Sequence, residues 1–243
     1  MQVFKRHRGD RDKISLSDDT IGIIMAYLVV ERGFGFDYSN DRFFERYNIE
    51  GILEERICRR NGKNHGEYCR FAGEAVVLRG NYVDGKLQGW YEVRHHTGRL
   101  VSLLNYSNGL LDGEQIDYHT NGKVSCVYNV IKNKLNGSKT TYFESGDQHT
   151  LTHYHQDQKH GIYVEWSEPG IRFKECMYRL GVLNGNYIEW RADGKNSVVC
   201  QFLDGNLHGK HVKFDYDTYE IIQIEYDHGV MVNLPQVFPM LKK

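Results

Sequence analysis

Seven glycines set the terms for the whole chain. Gly66, Gly89, Gly113, Gly137, Gly161, Gly185 and Gly209 are separated by 23 residues once and then by 24 five times. Self-similarity at a period of roughly 20 to 50 residues restricts a chain to a solenoid, a propeller or a linear array. The ladder runs from about Asn61 to Gly229.

Each anchor glycine opens a segment with strand character: HGEYCRF, QGWYEVR, DGEQIDY, NGSKTTYF, HGIYVEW, NGNYIEW and HGKHVKF. Nine residues later a second glycine (Gly98, Gly122, Gly146, Gly170, Gly194) marks a tight turn, because glycine accepts positive φ at little cost. A second strand follows, with an aromatic residue seventeen positions after the anchor in Tyr106, Tyr154, Tyr178, Phe202 and Tyr226. A Gly-x-Leu step, as in DGKLQG, NGLLDG and DGNLHG, then leads to the next anchor. Two strands and two turns per period predict seven β-hairpins over residues 56–229. The first unit is one residue short, with Gly73 ahead of the expected turn; Asn133 and Asp157 replace linker glycines and Thr218 replaces a turn glycine.

Within the first strand the pattern alternates. Ile162, Val164, Trp166, Ile188 and Trp190 fall on one face, which the pattern predicts to be the apolar one; Tyr163, Glu165, Tyr187 and Glu189 fall on the other. Hairpins paired edge to edge give a mainly β, elongated single-layer antiparallel sheet, a curved rod of roughly 65 Å at about 4.8 Å per strand. Such an array depends on its nearest neighbours and needs caps at both ends.

The aromatic, Gly-Lys-Leu-x-Gly and Tyr-x-Glu-Trp spacing of DGKLQGWYEV, QKHGIYVEW and DGNLHGKHVKF resembles the MORN repeat, in its variant of about 24 residues, over about 170 of the 243 residues. The resemblance implies an interaction scaffold without enzymatic activity. It also brings in phospholipid binding, but the ladder carries no basic cluster, which ranks lipid below protein.

The overall balance is that of a folded chain, 40% hydrophobic and 26% charged. A net charge of -1 provides no field for nucleic acid, so none is expected as a partner. Cys58, Cys69, Cys126, Cys176 and Cys200 form no Cys-x-x-Cys pair. Cys176 and Cys200 occupy one row of adjacent repeats, two strand spacings or about 9 to 10 Å apart, beyond disulfide reach. Free thiols in a reducing compartment are expected. The longest apolar run, Ile21 to Val30, is too short to span a bilayer, which predicts a cytoplasmic location.

Residues 1–55 read differently. A basic arm holds Lys5, Arg6, Arg8, Arg11 and Lys13; after it, Ser17, Asp18 and Asp19 make a helix start, with Ile21, Ile24, Met25 and Leu28 at helical spacing. A second helix is expected from Asp41 through Phe43, Phe44 and Tyr47. The first stretch, LSDDTIGIIMAYL, is similar to the opening helix of an F-box, through Leu16, Asp18, Asp19, Ile21, Ile24, Tyr27 and Leu28. That likeness implies docking to a ubiquitin-ligase adaptor; the competing reading is a helical cap over the first hairpin's open edge. Repeats behind such heads resemble multicopy proteins of large DNA viruses, which implies a third reading, a component packed with capsid or other virion proteins in a virion or the host cytoplasm. The tail, residues 230–243, leaves the register; its Val237, Phe238, Met240 and Leu241 either fold back on the Gly209 hairpin or dock into a partner.

Chemistry-bearing motifs are sparse. No nucleophile elbow, P-loop or dinucleotide fingerprint stands in a strand-to-helix context, and catalytic residues, cofactors and metals are all expected to be absent. The best ligand-type grouping, His153, His155 and Asp157 with His149 nearby, falls on a variable polar face. His65, His160 and His208 precede anchor glycines, where turn chemistry is expected. The remaining candidate is surface: Tyr91, Tyr163, Glu165, Tyr187 and Glu189 on the repeats, and Ile21, Met25 and Leu28 on the head, as contacts for other proteins. The alternative for the tyrosines is that they only stack on one another.

Overall fold

A computed structural model describes residues 14–15, 28–32 and 41–240. The chain divides into two compact units, Met1–Gly122 and Lys123–Lys243. The first holds strands β1 (Ile14–Ser15), β2 (Leu28–Arg32), β3 (Asp41–Tyr47), β4 (Leu53–Arg60), β5 (Lys63–Ala72), β6 (Ala75–Val83), β7 (Lys86–Leu87), β8 (Gly89–Arg94), β9 (Leu100–Ser107), β10 (Leu110–Leu111) and β11 (Gly113–Tyr118). The second holds β12 (Val124–Ile131), β13 (Lys134–Tyr142), β14 (Gln148–His155), β15 (Gln158–Ser167), β16 (Ile171–Arg179), β17 (Val182–Trp190), β18 (Asn196–Leu203), β19 (Asn206–Leu207), β20 (Gly209–Asp215), β21 (Glu220–Asp227), β22 (Val230–Met231) and β23 (Gln236–Pro239). Pairing is antiparallel throughout each unit, and the described residues include no helix.

The anchor glycine owes its place to a bulge. On β17, Tyr187 pairs with Cys176 and Leu183 with Tyr178, so Asn184, Gly185 and Asn186 all stand opposite Met177. Absorbing the excess residues forces Gly185 to φ +108°, and a Cβ there would lie 3.3 Å from the Met177 Cβ. The conformation strains any side chain there, and the contact would push Met177 aside by a few tenths of an ångström. The linkers are two-residue turns with positive φ at both positions, such as Asp84 and Gly85 (49° and 85°) or Asp204 and Gly205 (47° and 84°), the type I′ geometry that matches strand twist. Asn133 (66°) and Asp157 (69°) take the same conformation in place of glycine. Successive linker turns are tied together, since the Gly205 N–H donates to the Leu183 carbonyl at 2.8 Å and Gly109 donates to Leu87 at 2.8 Å.

The face expected to be apolar is not where most of the burial lies. Register places Tyr163 opposite Cys176, Tyr187 opposite Cys176 and Cys200, and Tyr68 opposite Ile57 and Gly80. On this tyrosine face Cys176 is fully enclosed, Cys200 and Ile57 are buried, and Gln115, which takes the tyrosine position of its repeat, has no exposure at all. The opposite face buries Val164 and Cys69 but leaves Trp90, Phe173 and Met177 each more than 40% exposed. The reason is geometric: the row tyrosines meet the aromatic of the second strand, edge to face in Tyr68–Tyr82 (5.7 Å), Tyr91–Tyr106 (5.9 Å) and Tyr163–Tyr178 (6.3 Å) and tilted in Tyr187–Phe202 (5.5 Å). Each such pair is worth about 0.5 to 1.5 kcal/mol beyond its buried area. Gln115 is tolerated there because its amide is satisfied by the backbone: Asn105 N–H donates to Oε1 (2.7 Å), and Nε2 donates to the Asn105 carbonyl (3.2 Å).

The helix expected from Asp41 through Tyr47 is instead β3, paired with β4. An unpaired β4 edge would leave a row of backbone groups without partners, and a strand satisfies them where a helix cannot. The pairs Arg42 with Arg59 and Phe44 with Ile57 reproduce the register of Gly89 with Tyr106 and Tyr91 with Leu104. The hairpin array therefore begins one unit before the glycine ladder, with Gly51 at φ +81° in the turn and Arg42 at the anchor position. On β3, Glu45 is buried, accepts from Tyr47 Oη at 2.6 Å and pairs with Arg56 at 2.9 Å. Of the first expected helix, Ile21, Ile24 and Met25 lie outside the described residues, whereas Leu28 begins β2 and pairs with Tyr47. At the other end the tail folds back: β23 pairs with β21, Ile221 opposite Phe238 and Ile222 opposite Val237.

Candidate interaction surface

In the second unit the tyrosine face carries two parallel rows. One alternates ring and small residue, Tyr163, Cys176, Tyr187, Cys200, across β15 to β18. The other alternates charge, Glu165 opposite Lys174 and Lys174 opposite Glu189. The rows are cross-linked, because Tyr163 Oη donates to Glu165 Oε2 (2.9 Å) and Tyr187 Oη donates to Glu189. Cations lie over the rings: Lys174 Nζ stands 5.0 Å from the centre of Tyr187, and Lys159 Nζ stands 4.8 Å from Tyr163 and 4.9 Å from Tyr178. Lys159 occupies the position that other repeats give to the Gly-x-Leu leucine, such as Leu183 opposite Tyr178 and Leu207 opposite Phe202.

The electrostatics follow from this packing. Burial, then the hydrogen bond to the neighbouring carboxylate, raises the Tyr163 and Tyr187 phenols well above their usual range. Burial also pushes the Cys176 thiol up and takes the Cys200 thiol to about 11, so neither is a ready nucleophile near neutrality. Both thiols are free, and the Tyr187 strand lies between them, as the two-strand spacing requires.

In the first unit Tyr91 joins the equivalent row by stacking on Tyr68, with ring centres 6.4 Å apart and planes 12° apart, across the bare backbone of Gly80. Here burial, then the Glu55 carboxylate, raises the Tyr68 phenol well above its usual range, while Tyr91 is raised to about 12, chiefly by burial. Thus Tyr163, Glu165, Tyr187 and Glu189 form one assembly in the second unit, Tyr91 belongs to a different one in the first, and Leu28 lies in β2; Ile21 and Met25 lie outside the described residues.

Concave sites are shallow. A depression of about 360 Å³ in the second unit is lined by Glu189, Arg191, Lys213 and Tyr216 among others, and one of about 300 Å³ in the first by Glu67, Arg79, Trp90 and Glu92 among others. Asp157, from the grouping read in the sequence as ligand types, is engaged in its turn, where Oδ1 accepts the Leu135 N–H at 2.7 Å, and the His155 ring lies 5.9 Å from His160. Among the described residues the side chains that do converge are His208, Asp227 and His228. In the sequence His208 reads as a turn residue, and Asp227 and His228 do not stand out because they lie about twenty residues from it. No helix among the described residues is long and apolar enough to cross a membrane. No protein-family model matches the chain, and no curated protein matches it significantly. The class that the geometry itself defines is a repeat protein of tandem β-hairpins.

Proposed function

We propose that this chain is a non-enzymatic protein-interaction scaffold of the MORN-like kind, whose second unit presents its tyrosine face to another protein. The observation that carries the reading is the in-register alternation Glu165, Lys174, Glu189 beside Tyr163 and Tyr187. Aromatic rings at low conformational cost, edged by charges of alternating sign, give a surface both adhesion and register. Partly exposed tyrosines whose hydroxyls are already held lose little further entropy on binding.

The test compares the full chain with its Lys174→Glu variant in affinity capture from the native source, followed by cross-linking to map the contact. Lys174 is half-buried between Glu165 and Glu189, so Lys174→Glu sets three carboxylates in a row and is expected to melt lower; capture is therefore compared at a temperature at which both chains are folded. The expected result is loss of the captured proteins while both chains are folded and, in the unaltered chain, cross-links that fall on β15 to β17. Capture that is insensitive to Lys174→Glu, with cross-links elsewhere, would sink the reading. The identity of what is captured separates its narrower forms: a ubiquitin-ligase adaptor for an F-box-like head, capsid proteins for a virion component.

A further inference from the structure

The last repeat departs from the others where the residue before the anchor glycine meets the following linker turn. In three repeats that residue accepts the backbone N–H of the first turn residue: His65 Nδ1 from Asp84 (3.4 Å), Gln88 Oε1 from Asn108 (3.0 Å) and His160 Nδ1 from Leu180 (3.4 Å). In the last repeat the corresponding residues are His208 and His228, the latter at φ +48°. His208 Nδ1 is enclosed yet makes no hydrogen bond. It lies 3.3 Å from Asp227 Oδ1, and that same oxygen lies 2.6 Å from His228 Nδ1. The two imidazole rings are 5.2 Å apart, and one donor atom from each of the three residues lies within 4.8 Å of the others.

We propose that His208, Asp227 and His228 form a binding site for a borderline divalent transition metal, Zn2+ above all. Two imidazole nitrogens and one carboxylate oxygen suit Zn2+ and disfavour Mg2+ and Ca2+, which take oxygen ligands. Bonds of about 2.0 Å in a tetrahedron place ligand atoms about 3.3 Å from each other, the separation found between His208 Nδ1 and Asp227 Oδ1. The closer Asp227 and His228 pair opens by side-chain rotation, since both residues are exposed. Three protein ligands leave a fourth position for water or for a side chain of a bound protein. The site stands independently of the scaffold reading, which concerns another part of the same unit.

The protein's own repeats supply variants that keep the turn. Gln88 stands where His208 does and Asn108 where His228 does, so His208→Gln with His228→Asn removes both imidazoles while installing residues that already serve these positions. The experiment titrates the metal-free full chain and this double variant with Zn2+ by calorimetry and with Co2+ by visible absorption. It also compares melting in the presence and absence of chelator. The expected result is one fewer Zn2+ equivalent in the double variant and loss of the four-coordinate Co2+ bands. Asp227→Asn should weaken that equivalent at least tenfold, and melting in chelator should be unchanged in both variants. Equal stoichiometry and affinity in the unaltered chain and the double variant would overturn the site, as would octahedral Co2+ spectra that none of the substitutions alters.

Discussion

The two units solve one packing problem in different ways. In the first, the linker turns have the residues that positive φ favours, Asn61 with Gly62, Asp84 with Gly85 and Asn108 with Gly109, while the tyrosine row is irregular. Tyr68 and Tyr91 meet directly because Gly80 has no side chain to separate them, and Gln115 takes the next tyrosine position. In the second unit three of the turns are less favourable, with Lys132 and Asn133, Gln156 and Asp157, and Leu180 and Gly181, yet from β15 to β18 the row is filled by alternating Tyr and Cys and edged by paired charges. Register survives both kinds of defect because the linker turns are held by the strands on either side and, within a unit, by backbone bonds to the strand that leaves the preceding turn, as Gly109 to Leu87 and Gly205 to Leu183. A repeat array tolerates local weakness where its neighbours over-determine the geometry.

The contrast is broken most severely at Gly80. Its φ is ordinary, so only space matters, and a Cβ there would lie 2.3 Å from Cδ2 of Tyr91. Gly80→Val should displace the Tyr91 ring and cost about 3 kcal/mol, measured by urea unfolding of the full chain. Cost near zero would show that the two rings are not locked.

Alkaline titration sharpens the comparison. The row phenols are raised in the fold, so the folded state holds their protons more tightly than the unfolded chain does. Their contribution is complete below the unfolded phenol value of about 10 and is lost as pH rises through the folded values, Tyr91's being about 12. The buried Cys176 and Cys200 thiols are raised as well, so stability should begin to fall near the unfolded thiol value of about 8.5 and fall more steeply above about pH 10. Replacing Glu165 and Glu189 by Gln should bring the phenolate absorbance of Tyr163 and Tyr187 to lower pH and leave that of Tyr91 in place, because burial is its leading cause and the two carboxylates belong to the other unit. A uniform shift of all the tyrosines would contradict the separate assemblies.

The smallest effect lies in a turn. Leu180 holds φ +48° with half its surface exposed, at a position where the first unit uses Asn or Asp. Leu180→Asn should stabilise the chain by about 0.5 to 1 kcal/mol by relieving left-handed backbone strain. Thermal melting would register a rise of a few degrees, and a fall would mean that the leucine side chain carries packing not evident from its exposure.

Much of the hairpin architecture was legible in the residues themselves. Glycine at a constant interval encodes positive φ, positive φ encodes where the chain turns or bulges, and the distance between turns sets strand length. These are local properties of backbone sterics. Even Asn133 and Asp157 kept the register, since both side chains tolerate the left-handed region. The place of the tail was open in the sequence, and the pairing of Ile221 with Phe238 sets it beside β21. Likewise Asp41 to Tyr47 contains no glycine signal, and its strand state follows from the β4 edge beside it. Which face is buried was also beyond a period-two pattern, because alternation separates two faces without ranking them; the ranking comes from ring packing between neighbouring strands. The meeting of His208, Asp227 and His228 belongs to the same category. The sequence by itself determined the local conformations and their spacing, whereas the side-chain constellations arose only when hairpin pairing brought distant residues onto one surface.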